Sequence, residues 1–353
     1  MKLILIKPSQ STFIRLEERI LRRIGSLTSI YIRQDQGRIA YARGLITMCL
    51  RLLFAPTQSI VLIWFADYHS ALATAICSIR KLKTLIFVGG YDAVSYPELG
   101  MGVFTHRYRS MAASYALRRC SLIVSNHEAL IRSSNTYYNP RGHLEGVQNL
   151  VPKLSTPCKT VYNAVSYQGV VDLSKTRQNR VIAIGTTPRF MDIVNKGYDL
   201  LFDAAKSMPE IDFIIVGIRK QWHGEIQKKY CVESIHNLQI MDYLPQAQLI
   251  PLLETSKVFV QASISEGMPN ALMEAMLCGC IPVGSQVSGI PTVIGGFGYL
   301  LENRDPQLLQ KAIKQALNSE YSPHDISSWI KDNFSFDKRL ASLRELIENL
   351  SRQ

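Results

Sequence analysis

The sequence contains no hydrophobic run long enough to cross a membrane. Its longest, S-I-V-L-I-W-F-A at residues 59–66, is far shorter than the roughly 20 apolar residues that a spanning helix needs. The amino-terminal segment M-K-L-I-L-I-K-P is cut short by Lys7 and Pro8, and no small-residue cleavage site follows it. We therefore expect a first β-strand there and no signal peptide.

The spacings that mark disulfide frameworks and metal sites are also missing. The seven cysteines are an odd and scattered set, which is typical of reduced cytosolic thiols. Cys278 and Cys280 have no second ligand pair, and the seven histidines show no H-x-x-H or H-x3-H spacing, so we expect no bound metal. No zinc-finger, RRM or helix-turn-helix pattern supports a nucleic-acid partner. No strand is followed by the G-x-G-x-x-G of a dinucleotide dehydrogenase.

The composition is globular and the charge is uneven. A chain of 353 residues with 47% hydrophobic and 19% charged residues favours two domains with substantial cores. Residues 1–165 hold 21 Lys and Arg against 8 Asp and Glu, whereas the remaining residues hold 19 against 20. The amino-terminal half should therefore meet an anionic partner, and without nucleic-acid motifs we expect an anionic membrane surface.

Two predicted helices of this half are basic and amphipathic. In the first, Phe13, Leu16, Ile20 and Ile24 recur at helical spacing while arginines gather on another side. Such a helix can dock on a membrane or pack its apolar stripe on a sheet, and both interpretations stay open. The second, Ala40–Phe54, repeats the pattern, and the two together favour a membrane-facing surface.

Predicted strands and helices alternate along the chain, from a strand at Lys2–Ile6 to a terminal amphipathic helix. This alternation predicts an α/β fold with two Rossmann-like domains, each a parallel sheet wound on both faces. We place the amino-terminal domain at residues 1–165 and the carboxyl-terminal domain at 166–332, with a polar hinge at 166–180. The helix at 333–353 should cross back to the first domain. Ligands of such sheets bind beyond the carboxyl ends of the strands.

One strand-to-helix junction organises the rest of the chain. Lys257–Ala262 predicts a buried strand, Gly267 a tight turn, and Pro269 the first position of a helix. Free amide groups at the start of a helix make a seat for a phosphate or a sugar hydroxyl.

Two carboxylates, Glu266 and Glu274, flank that seat. The second lies about 7.5 Å along the helix axis, at about 1.5 Å per residue. This separation suits a ligand with hydroxyls at both ends and phosphate between them, which describes a nucleotide sugar. An isolated E-x7-E would more simply be a helix-terminal charge and a solvated side chain.

A second turn supplies cations. Gly185 follows a predicted strand, and Arg189 and the pair Lys196-Gly197 precede a helix. An arginine can bind a diphosphate through two hydrogen bonds and a lysine binds it as a point charge. These two cations would stabilise a departing nucleoside diphosphate without a metal, unless they are simply solvated loop residues.

The pattern E-G-x-P-N-x-x-x-E-A-M-x-x-G-x-x-P-V from residue 266, with K-G at 196–197, resembles the retaining, metal-independent glycosyltransferases of the "group 1" family. These have the GT-B architecture, in which two Rossmann-like domains face each other across a cleft. The resemblance implies that Glu274 holds the donor ribose and that Arg189 and Lys196 bind its diphosphate. It also implies that Glu266 holds the sugar together with the backbone of the following turn, which consists of Gly267, Met268, Pro269 and Asn270.

The amino-terminal half departs from that family at one position. Gly89 and Gly90 follow an apolar strand, where they free the backbone to approach a ligand. The family usually has a histidine-glycine pair here, and its histidine contacts the donor sugar. Gly89 stands where that histidine would be, so Asp92 becomes the expected substrate contact on this side.

The resemblance implies retaining transfer of a hexose or N-acetylhexosamine from a UDP- or GDP-sugar to a hydroxyl acceptor, with no cofactor and no metal. The basic amino-terminal half favours a lipid-pyrophosphate-linked glycan as that acceptor, in the synthesis of O-antigen, capsule or a related polysaccharide. With the scattered cysteines, it predicts a cytoplasmic protein peripheral on the inner face of the cell membrane. Two alternatives stay open: a sugar-nucleotide epimerase of the same fold, and a non-catalytic sugar-nucleotide-binding component of a transferase complex.

Overall fold

The computed structural model describes residues 1–167 and 169–352. The chain forms two compact units. The first consists of Met1–Ser133, Leu144–Ser166 and the residues from Ser335 onward, and the second of Ser134–His143 and Tyr167–Phe334. The last helix therefore belongs with the amino-terminal unit, whereas a short segment inside the predicted domain 1–165 belongs with the second unit.

The strands are three to seven residues long. In chain order they are β1 (Lys2–Lys7), β2 (Ser26–Tyr31), β3 (Ser59–Trp64), β4 (Lys83–Val88), β5 (Leu122–Ser125), β6 (Ser133–Asn135), β7 (His143–Glu145), β8 (Cys158–Thr160), β9 (Gln178–Ile184), β10 (Asp212–Val216), β11 (Leu238–Met241), β12 (Ser256–Gln261), β13 (Ile281–Ser285) and β14 (Tyr299–Leu301).

The α-helices are α1 (Thr12–Ile24), α2 (Arg38–Leu53), α3 (Tyr68–Ile79), α4 (Arg107–Arg119), α5 (Val147–Leu150), α6 (Asp192–Asn195), α7 (Tyr198–Ser207), α8 (His223–Tyr230), α9 (Gln246–Thr255), α10 (Asn270–Leu277), α11 (Ile290–Ile294), α12 (Pro306–Leu317), α13 (Pro323–Asn333) and α14 (Phe336–Arg352). Short 3₁₀ turns lie at Gln34–Gln36, Tyr91–Ala93, Pro97–Leu99, Val103–Thr105, Glu128–Leu130, Lys220–Trp222 and Val232–Ser234.

Each unit contains a six-stranded parallel sheet. The strand order is β2-β1-β3-β4-β5-β8 in the first unit and β11-β10-β9-β12-β13-β14 in the second. The order reverses between β1 and β3 and between β9 and β12, and ligands of such sheets bind at these switch points. The α/β fold with two parallel-sheet, Rossmann-like domains, predicted from the sequence, is confirmed.

Four strands of these sheets, β2, β8, β13 and β14, are not among those that the sequence predicts. The edge strand β2 buries only one of its six residues, Ile30, so it lacks an apolar signal. The fully buried β13 contains Pro282 and Gly284, two residue types that are uncommon in strands.

Alternate side chains of the first sheet enter two separate cores. On one face, residues such as Ile4, Ile6 and Val61 pack with α2, α3 and α4. On the other face, Leu3, Leu5 and their neighbours pack with α1 and α14. The helices of this unit thus form layers on both sides of a central sheet.

Helix α1 buries its apolar stripe. Ile14, Leu16, Ile20 and Leu21 are each at most 5% exposed and share a core with residues of α14. Of the two interpretations left open by the sequence, the structure supports packing on the sheet for this helix.

A buried ion pair fixes α14 to α1. The Arg339 guanidinium donates to both carboxylate oxygens of Glu17, at 2.7 and 2.9 Å. The same side chain donates to the carbonyl oxygens of Val161 and Tyr162, at 2.8 and 2.7 Å. Arg339 and Glu17 are 4% and 2% exposed, so neither charge has water to replace its partner.

Replacing Arg339 by alanine should lower the free energy of unfolding of the first unit by about 3–5 kcal/mol, because the Glu17 carboxylate would stay buried without a partner. Urea unfolding followed by Trp64 fluorescence, in a Trp222→Phe/Trp329→Phe background, measures this unit.

The matched control is Arg344→Ala on the same helix. Its side chain is exposed and donates to the Arg23 carbonyl oxygen at 3.1 Å, so the change should cost about 1 kcal/mol or less. Equal urea midpoints for the two variants would contradict the importance of the buried pair.

Candidate functional site

The switch point of the second sheet brings two turns together. Gly185 follows β9, and residues 262–269 follow β12, the neighbouring strand. Because both strands run in the same direction, their carboxyl ends open at one edge of the sheet. The two turns that the sequence singles out therefore lie side by side.

The central contact between these turns is an ion pair between Lys196 and Glu266. The Lys196 ammonium contacts Oε1 of Glu266, and both side chains are mostly buried, at 21% and 16% exposed. Oε1 also accepts hydrogen bonds from Ser263 Oγ at 3.1 Å and Gln261 Nε2 at 3.2 Å. The carboxylate is thus oriented by three donors at once.

The backbone around Lys196 is shaped for this contact. Gly197 has a φ of +71°, and a side chain there would collide with the carbonyl oxygen of Ala262. The Ile264 amide donates to the Asn195 carbonyl at 2.8 Å, which ties the two turns together. Gly185 leaves room for the Tyr198 hydroxyl, which donates to the Gly185 carbonyl at 2.9 Å and would lie 2.9 Å from an added Cβ.

The turn from Gly267 to Asn270 leads into α10. The Gly267 carbonyl accepts from the Gly289 amide at 2.9 Å, and Met268 is 4% exposed. The helix begins at Asn270, one residue later than predicted, because Pro269 is extended and precedes it. Among the described residues the buried Oδ1 of Asn270 has no hydrogen-bond partner, so it can accept a hydrogen bond from a ligand.

Glu274 lies one turn further along α10 and is partly buried. Its Oε1 accepts from Gln246 Nε2 at 2.7 Å, at the start of α9. Gln246 thus holds the side chain of Glu274, a predicted substrate-binding residue, in place, and no motif in the sequence marks this glutamine.

Arg189 already has a partner within its own turn. Its guanidinium forms an ion pair with Asp192, whose Oδ2 also accepts from the Arg189 amide at 2.8 Å. Its side chain is 36% exposed. The cation predicted to face a diphosphate is therefore compensated locally, as is the charge of Lys196.

In the first unit, the predicted contact Asp92 holds a turn. Its carboxylate accepts from the backbone amides of Ala66 at 2.9 Å, Gly89 at 2.9 Å and Gly90 at 3.1 Å. Asp92 is 1% exposed, and burial raises the pKa of its carboxyl to about 6 in spite of these donors. Where the sequence assigns Asp92 to the substrate, the structure gives it a positioning role in the turn.

The missing histidine at Gly89 also has a structural reason. A Cβ on Gly89 would lie 2.5 Å from the ring of Phe65. Phe65 itself has a φ of +68°, rare for a bulky residue, and its amide donates to the Phe87 carbonyl at 2.9 Å. Gly90, with a φ of +137°, completes a turn that only glycine adopts readily.

A segment distant in sequence, Ser134–His143, supports the turn that follows β12. Asn135 Nδ2 donates to the Ile264 carbonyl at 2.7 Å, and Tyr137 Oη donates to the Ala262 carbonyl at 3.4 Å. Both side chains are buried, at 5% and 2% exposed. The only sequence signal for them is a stretch of polar and aromatic residues between predicted elements.

No three His, Cys, Asp or Glu side chains of the described residues lie together as metal ligands would. Helices long and apolar enough to span a membrane are likewise missing from the part of the chain that the structure describes.

Comparison with known proteins relates part of this chain to a family. Residues 192–332 match the family model "Glycosyl transferases group 1". A component of the Arabidopsis thaliana phosphatidylinositol N-acetylglucosaminyltransferase is 26% identical over 181 residues, which cover 45% of this chain and 40% of the relative. The "Putative colanic acid biosynthesis glycosyltransferase WcaL" of Salmonella typhimurium is 29% identical over 175 residues, covering 44% and 42%. The alignments thus span under half the length of both relatives.

The crystal structure of Anabaena Alr3699/HepE in complex with UDP and glucose has a similar fold. It superposes with a TM-score of 0.70 at 14% identity, and the match covers 99% of this chain and 100% of the other. The fold is accordingly GT-B. The resemblance expected from the sequence motifs is confirmed for residues 192–332, which match the Glycosyl transferases group 1 family, while the GT-B fold extends over the whole chain.

Proposed function

We propose that this protein transfers a hexose or N-acetylhexosamine from a UDP- or GDP-sugar to a lipid-pyrophosphate-linked glycan, with retention of configuration and without a metal. The observation that carries the proposal is the Lys196–Glu266 pair at the switch point of the second sheet. It sets a cation for a diphosphate beside an oriented carboxylate for sugar hydroxyls.

When the donor binds, the contact between Lys196 and Glu266 is replaced by contacts of each side chain with the ligand. The diphosphate takes the Lys196 ammonium, and the sugar hydroxyls donate to Glu266, which keeps its hydrogen bonds from Ser263 and Gln261. Glu274 accepts the ribose hydroxyls at the other end of the ligand. Arg189 adds a second cation when its guanidinium turns from Asp192 to the phosphates.

In the transfer step the bond between the anomeric carbon and the β-phosphate oxygen breaks, and a bond from the acceptor oxygen forms on the same face of the sugar. The acceptor hydroxyl gives its proton to the departing phosphate. The negative charge that develops on that phosphate is stabilised by Lys196 and by the amides at the start of α10. The described side chains therefore supply binding and charge, and no protein nucleophile is required.

The names of the relatives support a lipid or polysaccharide acceptor. One names phosphatidylinositol and an N-acetylglucosaminyl group, and another names colanic acid biosynthesis. We accordingly propose a role in O-antigen, capsule or related polysaccharide synthesis, with the protein cytoplasmic and peripheral on the inner face of the cell membrane.

Lys196→Ala should lower kcat/KM for transfer by about 10²–10³-fold, because it removes a fixed charge from the developing phosphate anion. The matched control is Lys206→Ala: this lysine follows on α7, is exposed, and donates to the Tyr230 carbonyl at 2.8 Å. The assay follows radiolabelled sugar from a panel of UDP- and GDP-sugars, chosen by thermal shift, into a lipid-linked acceptor.

Equal activity of both lysine variants would reject the assignment of Lys196. Product analysis by NMR separates the reaction classes: an α-linked glycan from an α-configured donor supports retaining transfer. A free epimerised or hydrolysed sugar supports the epimerase instead.

Glu274→Gln should abolish the thermal shift given by the nucleotide while leaving the melting temperature of the free protein unchanged.

Asn135→Ala should raise the KM for the donor about tenfold with little change in kcat. It removes the hydrogen bond to Ile264 two residues before Glu266, and an unsatisfied buried carbonyl costs about 1–3 kcal/mol. Asn139→Ala, in the same segment, is the control, because the Asn139 side chain accepts from the nearby Arg141 amide within its own turn. An unchanged KM in Asn135→Ala, or an equal rise in both variants, would contradict a positioning role.

A further inference from the structure

Three helices on one face of the first unit carry charge of a single sign. Helices α2, α3 and α4 have 16, 12 and 13 residues and contain no Asp or Glu. Three arginines lie on α2 and four on α4. Among these seven described arginines, only Arg109 forms an ion pair, with Asp67. Unbalanced positive charge of this density favours an anionic partner.

The same face exposes large apolar side chains. On α2, Ile39, Ile46, Leu50 and Leu53 are 74%, 62%, 53% and 42% exposed. Their spacing of seven, four and three residues places them on one stripe of the helix, opposite the buried Gly44, Met48 and Leu52. At about 100° per residue, Arg43 lies beside this stripe on one side and Arg38 lies further round on the other.

The stripe extends to the neighbouring helices. Helix α3 packs against both α2 and α4, so the outer sides of all three form one surface. Its exposed apolar residues are Leu72 and Ile79 on α3 and Tyr108, Met111 and Tyr115 on α4. We call the outer side of α2, α3 and α4 the basic apolar face.

The opposite side of the unit has neither feature. There α1 buries its apolar stripe against α14, and acidic residues accompany the basic ones on both helices. The difference shows that apolar exposure is not a general property of this unit, whose other helical stripe is covered.

We propose that the basic apolar face docks on an anionic phospholipid bilayer. Arginines at the rim would contact lipid phosphates while Ile, Leu and Tyr side chains enter the boundary between head groups and acyl chains. This occupant matches both observations at once, whereas a protein partner would have to supply apolar contacts and acidic groups over three helices. The inference deepens the proposed function, since it names the surface that meets the lipid-linked acceptor.

The face leads to the carboxyl edge of the first sheet. Helices α3 and α4 begin at that edge, where an open cavity of about 440 Å³ is lined by Tyr68, Thr105, His106, Arg107, Tyr108 and Arg109. The start of α4 and Arg107 there favour an anion, whereas Arg109 and the start of α3 already contact the Asp67 carboxylate. Docking on this face would hold the acyl chains in the bilayer and bring the charged head group of an acceptor to this edge.

Flotation of the full chain with vesicles tests the proposal without requiring any transfer. We expect binding to phosphatidylcholine vesicles that contain a quarter phosphatidylglycerol, and much weaker binding to pure phosphatidylcholine or at high salt. Arg43→Gln/Arg51→Gln should lower the partition coefficient more than tenfold, at about fivefold per arginine. Ile46→Ser/Leu50→Ser should lower it by a similar factor through lost insertion.

The matched control is Arg22→Gln/Arg23→Gln on α1, which removes the same charge from the opposite side and should leave binding within about twofold. All of the substituted side chains are exposed. Melting temperatures equal to that of the wild type would show that the variants fold. No flotation of the wild-type chain, or equal loss in the α1 control, would overturn the proposal. So would a concentration-dependent dimer in light scattering that Ile46→Ser/Leu50→Ser abolishes.

The same experiments distinguish failure of the docking proposal from failure of the proposed function. A chain that floats but transfers no sugar keeps the docking face and loses the enzymatic assignment. With a water-soluble acceptor analogue, Ile46→Ser/Leu50→Ser should retain the wild-type kcat/KM. With the acceptor in vesicles, the kcat/KM of this variant should fall below that of the wild type. A variant that matches the wild type in both assays would count against docking.

Discussion

A lysine and a carboxylate in contact at a sheet edge are the interaction on which the proposed site depends. Lys196 and Glu266 lie on different turns, 70 positions apart, and Gly197 lets the first turn approach the second closely. Partial burial strengthens their attraction, while the remaining exposure keeps them within reach of a ligand. Pairing before the donor arrives avoids two uncompensated charges, and a diphosphate sugar offers each group a new partner of suitable chemistry.

The two units use similar sheets for different tasks. In the second, the strand reversal between β9 and β12 gathers the charged turns. In the first, the equivalent edge is occupied by a braced turn of Asp92, Gly89 and Phe65, whose carboxylate is already satisfied by backbone amides. The helices of this unit differ in what they expose. Helix α1 is covered by α14 and joined to it by the buried Arg339–Glu17 pair, whereas the outer sides of α2, α3 and α4 are exposed and basic.

Much of this could be predicted from local patterns. Apolar strands such as β3 and β12 and the glycine turns are properties of short segments, so the fold class and the position of the Glu266 turn at the end of β12 follow from them. Contacts distant in sequence could not be predicted. Nothing near Glu17 shows that Arg339 will bury it, and nothing near Asn135 shows that it will bind Ile264. The role of Asp92 escaped prediction because three backbone amides, which have no sequence signal, surround it.

The measurement that tests the account most directly is a crystal structure of the protein with UDP or GDP, whichever raises its melting temperature. The account predicts that the Lys196 ammonium leaves Glu266 and lies within about 3.2 Å of a phosphate oxygen, with the ribose hydroxyls on Glu274. A nucleotide bound elsewhere while Lys196 and Glu266 remain paired would contradict it.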